Sequence, residues 1–130
     1  MFLFRKKKAK HIILGEKGEK IAVKLLKKLG FKILCKNYKA GKKEIDIIAL
    51  DGLVLCFVEV KTREENPFSR PADAIGDDKR NNLNIAAKHY LYKIDKPTVR
   101  YRFDAIEVIC EKSKLKELKY YPNAFMPRSY

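Results

Sequence analysis

The chain has 130 residues, 46% of them apolar and 35% charged, and its 30 Lys and Arg against 16 Asp and Glu give a formal net charge of +14. That length suits one compact domain, and no apolar run approaches the roughly 20 residues of a membrane-spanning helix. Cys35, Cys56 and Cys110 form no CxxC pair, so neither a zinc site nor a disulfide framework is indicated, while the basic excess favours a polyanionic partner, most simply nucleic acid.

Met1 to His11 is a basic arm with Arg5, Lys6, Lys7, Lys8 and Lys10, either a mobile extension or a frayed helix start able to reach phosphates, and residues 12–130 are taken as the domain. The apolar residues of the arm precede its charges, the reverse of a secretory signal, so the cytoplasm is the expected location. A helix is predicted from Gly15 to Leu29 on the spacing of Ala22, Val23, Leu25, Leu26 and Leu29, with Gly30 as its stop. Phe31 to Tyr38 reads as a strand, followed by the basic turn Gly41-Lys42-Lys43. Glu44 to Leu50 and Leu53 to Lys61 are two more strands, with Asp51-Gly52 as the hairpin loop.

Thr62 to Ala74 reads as a loop. A second helix is predicted from Asp77 or Asp78 to Lys93, with an apolar stripe of Leu83, Ala86, Ala87, Tyr90, Leu91 and Ile94. Val99 to Ile109 is rich in strand formers, and Leu115 to Tyr121 is expected to add an edge strand. The order α-β-β-β-α-β predicts an α/β domain, a mixed sheet with helices packed on it.

With Asp51 and Gly52 as the loop, Leu50 faces Leu53 and paired positions sum to 103. Glu44, Asp46, Leu55, Phe57, Glu59 and Lys61 then share one face. Asp46 and Glu59 become diagonal neighbours, roughly 5–8 Å apart at Cβ. Two carboxylates about 5 Å apart repel by roughly 3 kcal/mol at an effective dielectric near 20. A divalent cation between them removes that cost, and hard oxygen ligands suit Mg²⁺ or Mn²⁺. Lys61 adds a positive charge able to orient water or stabilise a pentacovalent phosphate, which together describes metal-assisted phosphodiester hydrolysis. Glu19 stands at the edge of the first helix's apolar stripe, from where a helix packed on the sheet could aim it at the hairpin acids, with Glu16 as its competitor. Lys79 holds the comparable place on the second helix and, with Arg80 and Arg63, is a candidate phosphate contact.

The segments Glu44-Ile45-Asp46-Ile47-Ile48-Ala49 and Phe57-Val58-Glu59-Val60-Lys61-Thr62-Arg63 closely resemble the YraN-like family of small bacterial proteins. Gly18-Glu19 with Ala22, Asn37-Tyr38-Lys39, Lys79, Arg102-Phe103-Asp104 and Asn123-Ala124-Phe125 are further matches. These proteins are described as predicted endonucleases of the restriction-endonuclease-like, PD-(D/E)xK superfamily, similar in fold to archaeal Holliday-junction resolvases. The resemblance implies that Asp46, Glu59 and Lys61 occupy metal-binding and catalytic positions, with Glu19 as the helix acid. It implies Mg²⁺ or Mn²⁺ as cofactor, and DNA rather than RNA, branched or structured, as partner. Lys42, Lys43, Arg63, Lys79 and Arg80 would form the basic rim, and a resolvase, cutting two strands, would be expected as a homodimer. Lys43 stands where the family usually has glycine, and Ile45 where the superfamily often has proline. Two other readings use the same residues: a non-catalytic nucleic-acid-binding module on a nuclease fold, and an RNA-processing or ribosome-associated protein.

Overall fold

The computed structural model describes residues 2–65 and 77–125, and side chains within 15–65 and 80–124. The elements are α1 (Phe2–Lys28), β1 (Lys32–Ala40), β2 (Lys43–Asp51), β3 (Val54–Glu64), α2 (Asp77–Ile94), β4 (Arg100–Glu111) and β5 (Lys114–Phe125). The expected α/β order holds. Three boundaries differ by more than two residues: α1 begins at Phe2, so the backbone of the basic arm is helical, β3 runs past Lys61 to Glu64 because it pairs with β4 as far as Glu64↔Cys110, and β5 runs past Tyr121 to Phe125, which pairs with Phe103. The side chains of the arm, and the segment 66–76 that takes in most of the expected loop, lie outside the described residues. No described helix is long and apolar enough to cross a membrane.

The five strands lie in sequence order, all neighbours antiparallel except β3 and β4. A parallel pair requires the chain to return to its starting end between strands, and α2 makes that return. Therefore α2 starts at the sheet end where β3 finishes and stops where β4 begins. Each helix covers one face. Ala22 and Leu26 of α1 are buried on Ile47, Ala49, Cys56, Val58, Ile106, Val108 and Cys110. On the other face Leu83, Ala86 and Ala87 of α2 are buried on Ile45, Ile48, Leu55, Phe57 and Phe103, with Tyr90, Leu91 and Ile94 packed alongside. The predicted stripe of α2 is therefore its buried face.

Helix α1 ends as its sequence suggests. Gly30 has φ 93°, Phe31 N–H donates to Leu26 C=O at 2.9 Å and Gly30 N–H to Lys27 C=O at 3.0 Å. This is the Schellman pattern, which satisfies carbonyls the helix leaves open.

The β2–β3 register corrects the sequence expectation. Asp51 pairs with Val54 and Leu50 with Leu55, so paired positions sum to 105 and the loop is Gly52-Leu53. Gly52, at φ 60°, fills the first central position, where a type II′ turn wants glycine. Asp51 stays in the strand because its carboxylate accepts a hydrogen bond from Arg102 Nη2 of β4 at 2.9 Å. Continued one step beyond Ile47↔Val58, this register would set Asp46 opposite Glu59, but the ladder stops at Ile47.

Candidate functional site

Gly18 begins the site. It is buried where α1 crosses β3, and a Cβ there would overlap Thr62 Oγ1 and stand 3.0 Å from Thr62 Cβ and 3.1 Å from Cγ2. Because every branch of Thr62 is close, rotating that side chain gives no relief. Only glycine allows this approach, and it sets the next residue, Glu19, against the sheet. Gly18→Ala is expected to lower stability by roughly 1–3 kcal/mol through overpacking. Thermal melts would show the loss, and Thr62→Ala in the same chain should recover part of it.

Glu19 is half-buried, and its carboxyl is pushed above the usual range. Burial is the main cause, followed by the Asp46 charge and then Glu44 and Glu16, with a hydrogen bond from Asn37 acting the other way. Thus α1 sets Glu19 within electrostatic reach of Asp46, and Glu16 is an exposed neighbour. A carboxyl with a raised folded-state pKa binds more protons folded than unfolded, so its ionisation costs stability at neutral pH. That cost fades as pH falls from the raised pKa towards the unfolded value. Glu19→Gln is therefore expected to raise the Tm at pH 7, with a gain that shrinks in acid, as melts across pH 3–8 would show.

Asp46 lies where the pleat of β2 is interrupted. Ile45 and Ile48 both pack towards α2, while Ile47 and Ala49 pack towards α1. Strict alternation cannot place residues 45 and 48 on one face, so one residue between them is extra to the pattern. The Asp46 carboxylate uses this break: Oδ2 accepts the Val60 N–H at 2.8 Å. It occupies the seam where β2 and β3 stop pairing, against the Glu59–Val60 peptide. The expectation that Glu44 and Asp46 share the face of Leu55 and Phe57 is corrected by the same break. Glu44 sits on the α1 side, where its charge reaches Glu19.

Alternation in β3 is regular. Val54, Cys56, Val58 and Val60 pack towards α1 and Thr62 meets Gly18, whereas Leu55 and Phe57 pack towards α2. Glu59 and Lys61 follow Phe57 onto the α2 side. Glu59 is buried at 4% exposure and Lys61 is half-buried. The hairpin acids and Lys61 thus meet at one end of the sheet, but not on one face. Glu19 approaches from the α1 side, Glu59 and Lys61 stand on the α2 side, and Asp46 lies in the seam between.

Of the expected basic rim, Lys42 is exposed in the β1–β2 turn and Lys43 is half-buried as the first residue of β2. Arg63 is turned inward, its Nε donating to Glu107 at 3.1 Å, so a phosphate contact would use its remaining N–H groups. Arg80 is half-buried near the start of α2, and the side chain of Lys79 lies outside the described residues.

Asp46, Glu59 and Glu19 offer the hard oxygen donors that suit Mg²⁺ or Mn²⁺, and the burial and neighbouring negative charge that raise Glu19 are the kind of cost a cation relieves. In kind, the donors fit. Among the described residues, no three Asp, Glu, His or Cys side chains are gathered closely enough to hold a metal ion as they stand.

Two neighbours of the site escaped the sequence reading as functional residues, Glu44 and Asn37. The available signal was Asn37 itself, an asparagine inside a strand, where that residue is disfavoured unless its backbone turns left-handed.

A second polar cluster lies under α1 towards the hairpin end. Asp104 is fully buried. It accepts from Arg102 Nε at 3.0 Å, from Tyr120 Oη at 2.6 Å and from Asn123 N–H at 2.8 Å. Burial and the Asp104 bond hold the Tyr120 hydroxyl above its usual range. Burial, then Asp104, pushes the Cys56 thiol up to about 12. This cluster ties β2, β4 and β5 together and gives Arg102-Phe103-Asp104 and Asn123 a structural role.

A family model described as "Uncharacterised protein family UPF0102" matches residues 18–108, a span that includes Gly18, Glu19, Asp46, Glu59 and Lys61. A UPF0102 protein of Chlorobaculum parvum is 48% identical over 96 residues, 74% of each chain. UPF0102 protein CT2262 of Chlorobaculum tepidum is 42% identical over 118 residues, 87% of this chain and 92% of its own. A UPF0102 protein of Alkaliphilus metalliredigens is 39% identical over 112 residues, 86% of this chain and 96% of its own. Matched by the family model across both helices and four strands, and by relatives over most of their length, the chain belongs to the uncharacterised protein family UPF0102, the YraN-like family that its hairpin motifs resemble.

Proposed function

We propose that this protein binds nucleic acid and is a metal-dependent endonuclease that hydrolyses phosphodiester bonds, with branched or structured DNA as its substrate class. The observation that carries this reading is the Asp46 carboxylate in the β2–β3 seam, with Glu19 held towards it despite like-charge repulsion. A fold gains no stability from that crowding, so its use lies in a ligand. In this reading Asp46 and Glu59 hold Mg²⁺ or Mn²⁺, and Glu19 completes the set. Bound there, the metal would supply an activated water and neutralise charge on the phosphate. Lys61, beyond Glu59 on the same face, orients the attacking water and offsets charge as the phosphorane forms. Exposed Lys42 and the net charge of +14 draw the polyanion in. Two strands cut at a junction call for two active sites, hence a homodimer, and the cytoplasm is the compartment in which such DNA is met.

The second reading is a binding module that keeps the fold without the reaction. It is favoured by the separation of Glu59 from Glu19 across the sheet. Linear, flapped and four-way DNA, with an RNA counterpart, incubated with Mg²⁺, Mn²⁺ or EDTA, separates the two. The nuclease reading expects EDTA-sensitive cleavage of at least one substrate. The module reading expects gel shifts without products.

A further inference from the structure

Asn37 sits exposed in β1 with φ 53°, left-handed although it lies within a strand. It stands at the same level as Asp46, since Lys36 pairs with Ile47 and Tyr38 with Ile45. The pleat breaks there in both strands: Cys35 and Tyr38 pack on the α2 side, as Ile45 and Ile48 do. With its amide nitrogen facing the acids, Asn37 Nδ2 donates to Glu19 Oε2 at 3.2 Å and to Glu44 Oε1 at 3.0 Å. One side chain therefore joins α1 to β2 across β1.

We infer that Asn37 is a positioning residue of the candidate site, its amide clamping Glu19 and Glu44 so that Glu19 stays turned towards Asp46. The inference rests on the metal-site reading for its purpose, while the clamp itself rests on the hydrogen bonds and the paired breaks in β1 and β2. A primary amide suits the task. It has two N–H donors, one for each carboxylate, and no charge to compete with an incoming cation. A lysine there would neutralise the acids, and an aspartate would add to their repulsion. The left-handed backbone is the means of aiming it, and asparagine tolerates that conformation better than other residues with side chains of this size.

The alternative role for Asn37 is purely conformational, to supply positive φ. Asn37→Gly separates the two, because glycine keeps that backbone and removes the amide. Because Asn37 is exposed and glycine keeps its positive φ, the variant should still fold, with only the small fall in Tm that losing two exposed amide hydrogen bonds brings. Two measurements decide: a Mn²⁺ titration followed by water-proton relaxation, and the ¹H–¹⁵N signals of the Asn37 side-chain amide. Asn37→Gly is expected to bind Mn²⁺ about tenfold more weakly than wild type, since residues that orient metal ligands typically contribute that much. In wild type, the Asn37 amide signals should move on both Glu19→Gln and Glu44→Gln. Wild-type affinity in Asn37→Gly overturns the positioning role, and so do amide signals indifferent to both substitutions. A wild type that takes up no Mn²⁺ overturns the metal reading instead. The amide signals then judge the clamp alone: they move with Glu44→Gln, or the clamp is overturned as well.

Discussion

Asp46→Asn is expected to abolish metal-dependent cleavage while leaving the domain folded. The Asn carbonyl can still accept the Val60 N–H that Asp46 Oδ2 takes at 2.8 Å, so the seam between β2 and β3 keeps its hydrogen bond. What is lost is the negative charge. A metal held by fewer carboxylates neither activates water nor neutralises phosphate well, and the rate should fall on the order of a thousandfold or more. Glu59→Gln should do the same. At 4% exposure Glu59 has little room to move, and the isosteric amide keeps its volume. Binding of nucleic acid without metal should hold or tighten in both variants, because each removes a charge that repels phosphate. Lys61→Ala should separate the roles, retaining Mn²⁺ and losing cleavage, since its charge matters most as the transition state forms. Cleavage time courses beside Mn²⁺ titrations and metal-free gel shifts would read all three.

The other large effect is structural. Arg102→Ala leaves Asp104 fully buried without its cation. Removing one partner of a buried ion pair typically costs about 3–5 kcal/mol, against a net stability of roughly 5–15 kcal/mol for a whole domain. The same change releases Asp51, whose bond to Arg102 at 2.9 Å keeps it in β2. The Tm should fall by roughly 10–20 °C at this chain length. Tyr120→Phe removes only the hydroxyl donated to Asp104 at 2.6 Å, and should cost about 1–3 kcal/mol. Chemical denaturation would order the two. Negligible losses in both would mean that the cluster is not what binds β2, β4 and β5.

The element order was legible because the apolar spacing of α1, α2 and the strands follows the helical and strand periods closely. Gly30 ends α1 for the reason its residue type suggests. The hairpin register was not legible. Asp-Gly between apolar runs is the commonest loop signal, but Asp51 is held in its strand by Arg102, a contact across the sheet that no local pattern reveals. The convergence of Asp46 and Glu19 was anticipated through a face assignment that does not hold for Glu44. The interrupted pleat at Asn37 and Asp46 depends on two strands breaking at one level, and a single strand's alternation cannot show it. The backbone of the basic arm continues α1, the helix start that was one of the two readings its composition left open.

The most direct measurement is cleavage of an end-labelled four-way DNA junction in Mn²⁺ by wild type and Asp46→Asn, prepared identically and run side by side. Product bands are expected with wild type, abolished by EDTA, and none with Asp46→Asn, although in a metal-free gel Asp46→Asn shifts the junction at least as well as wild type. Absence of products from wild type, or equal products from the two proteins, would contradict the nuclease reading.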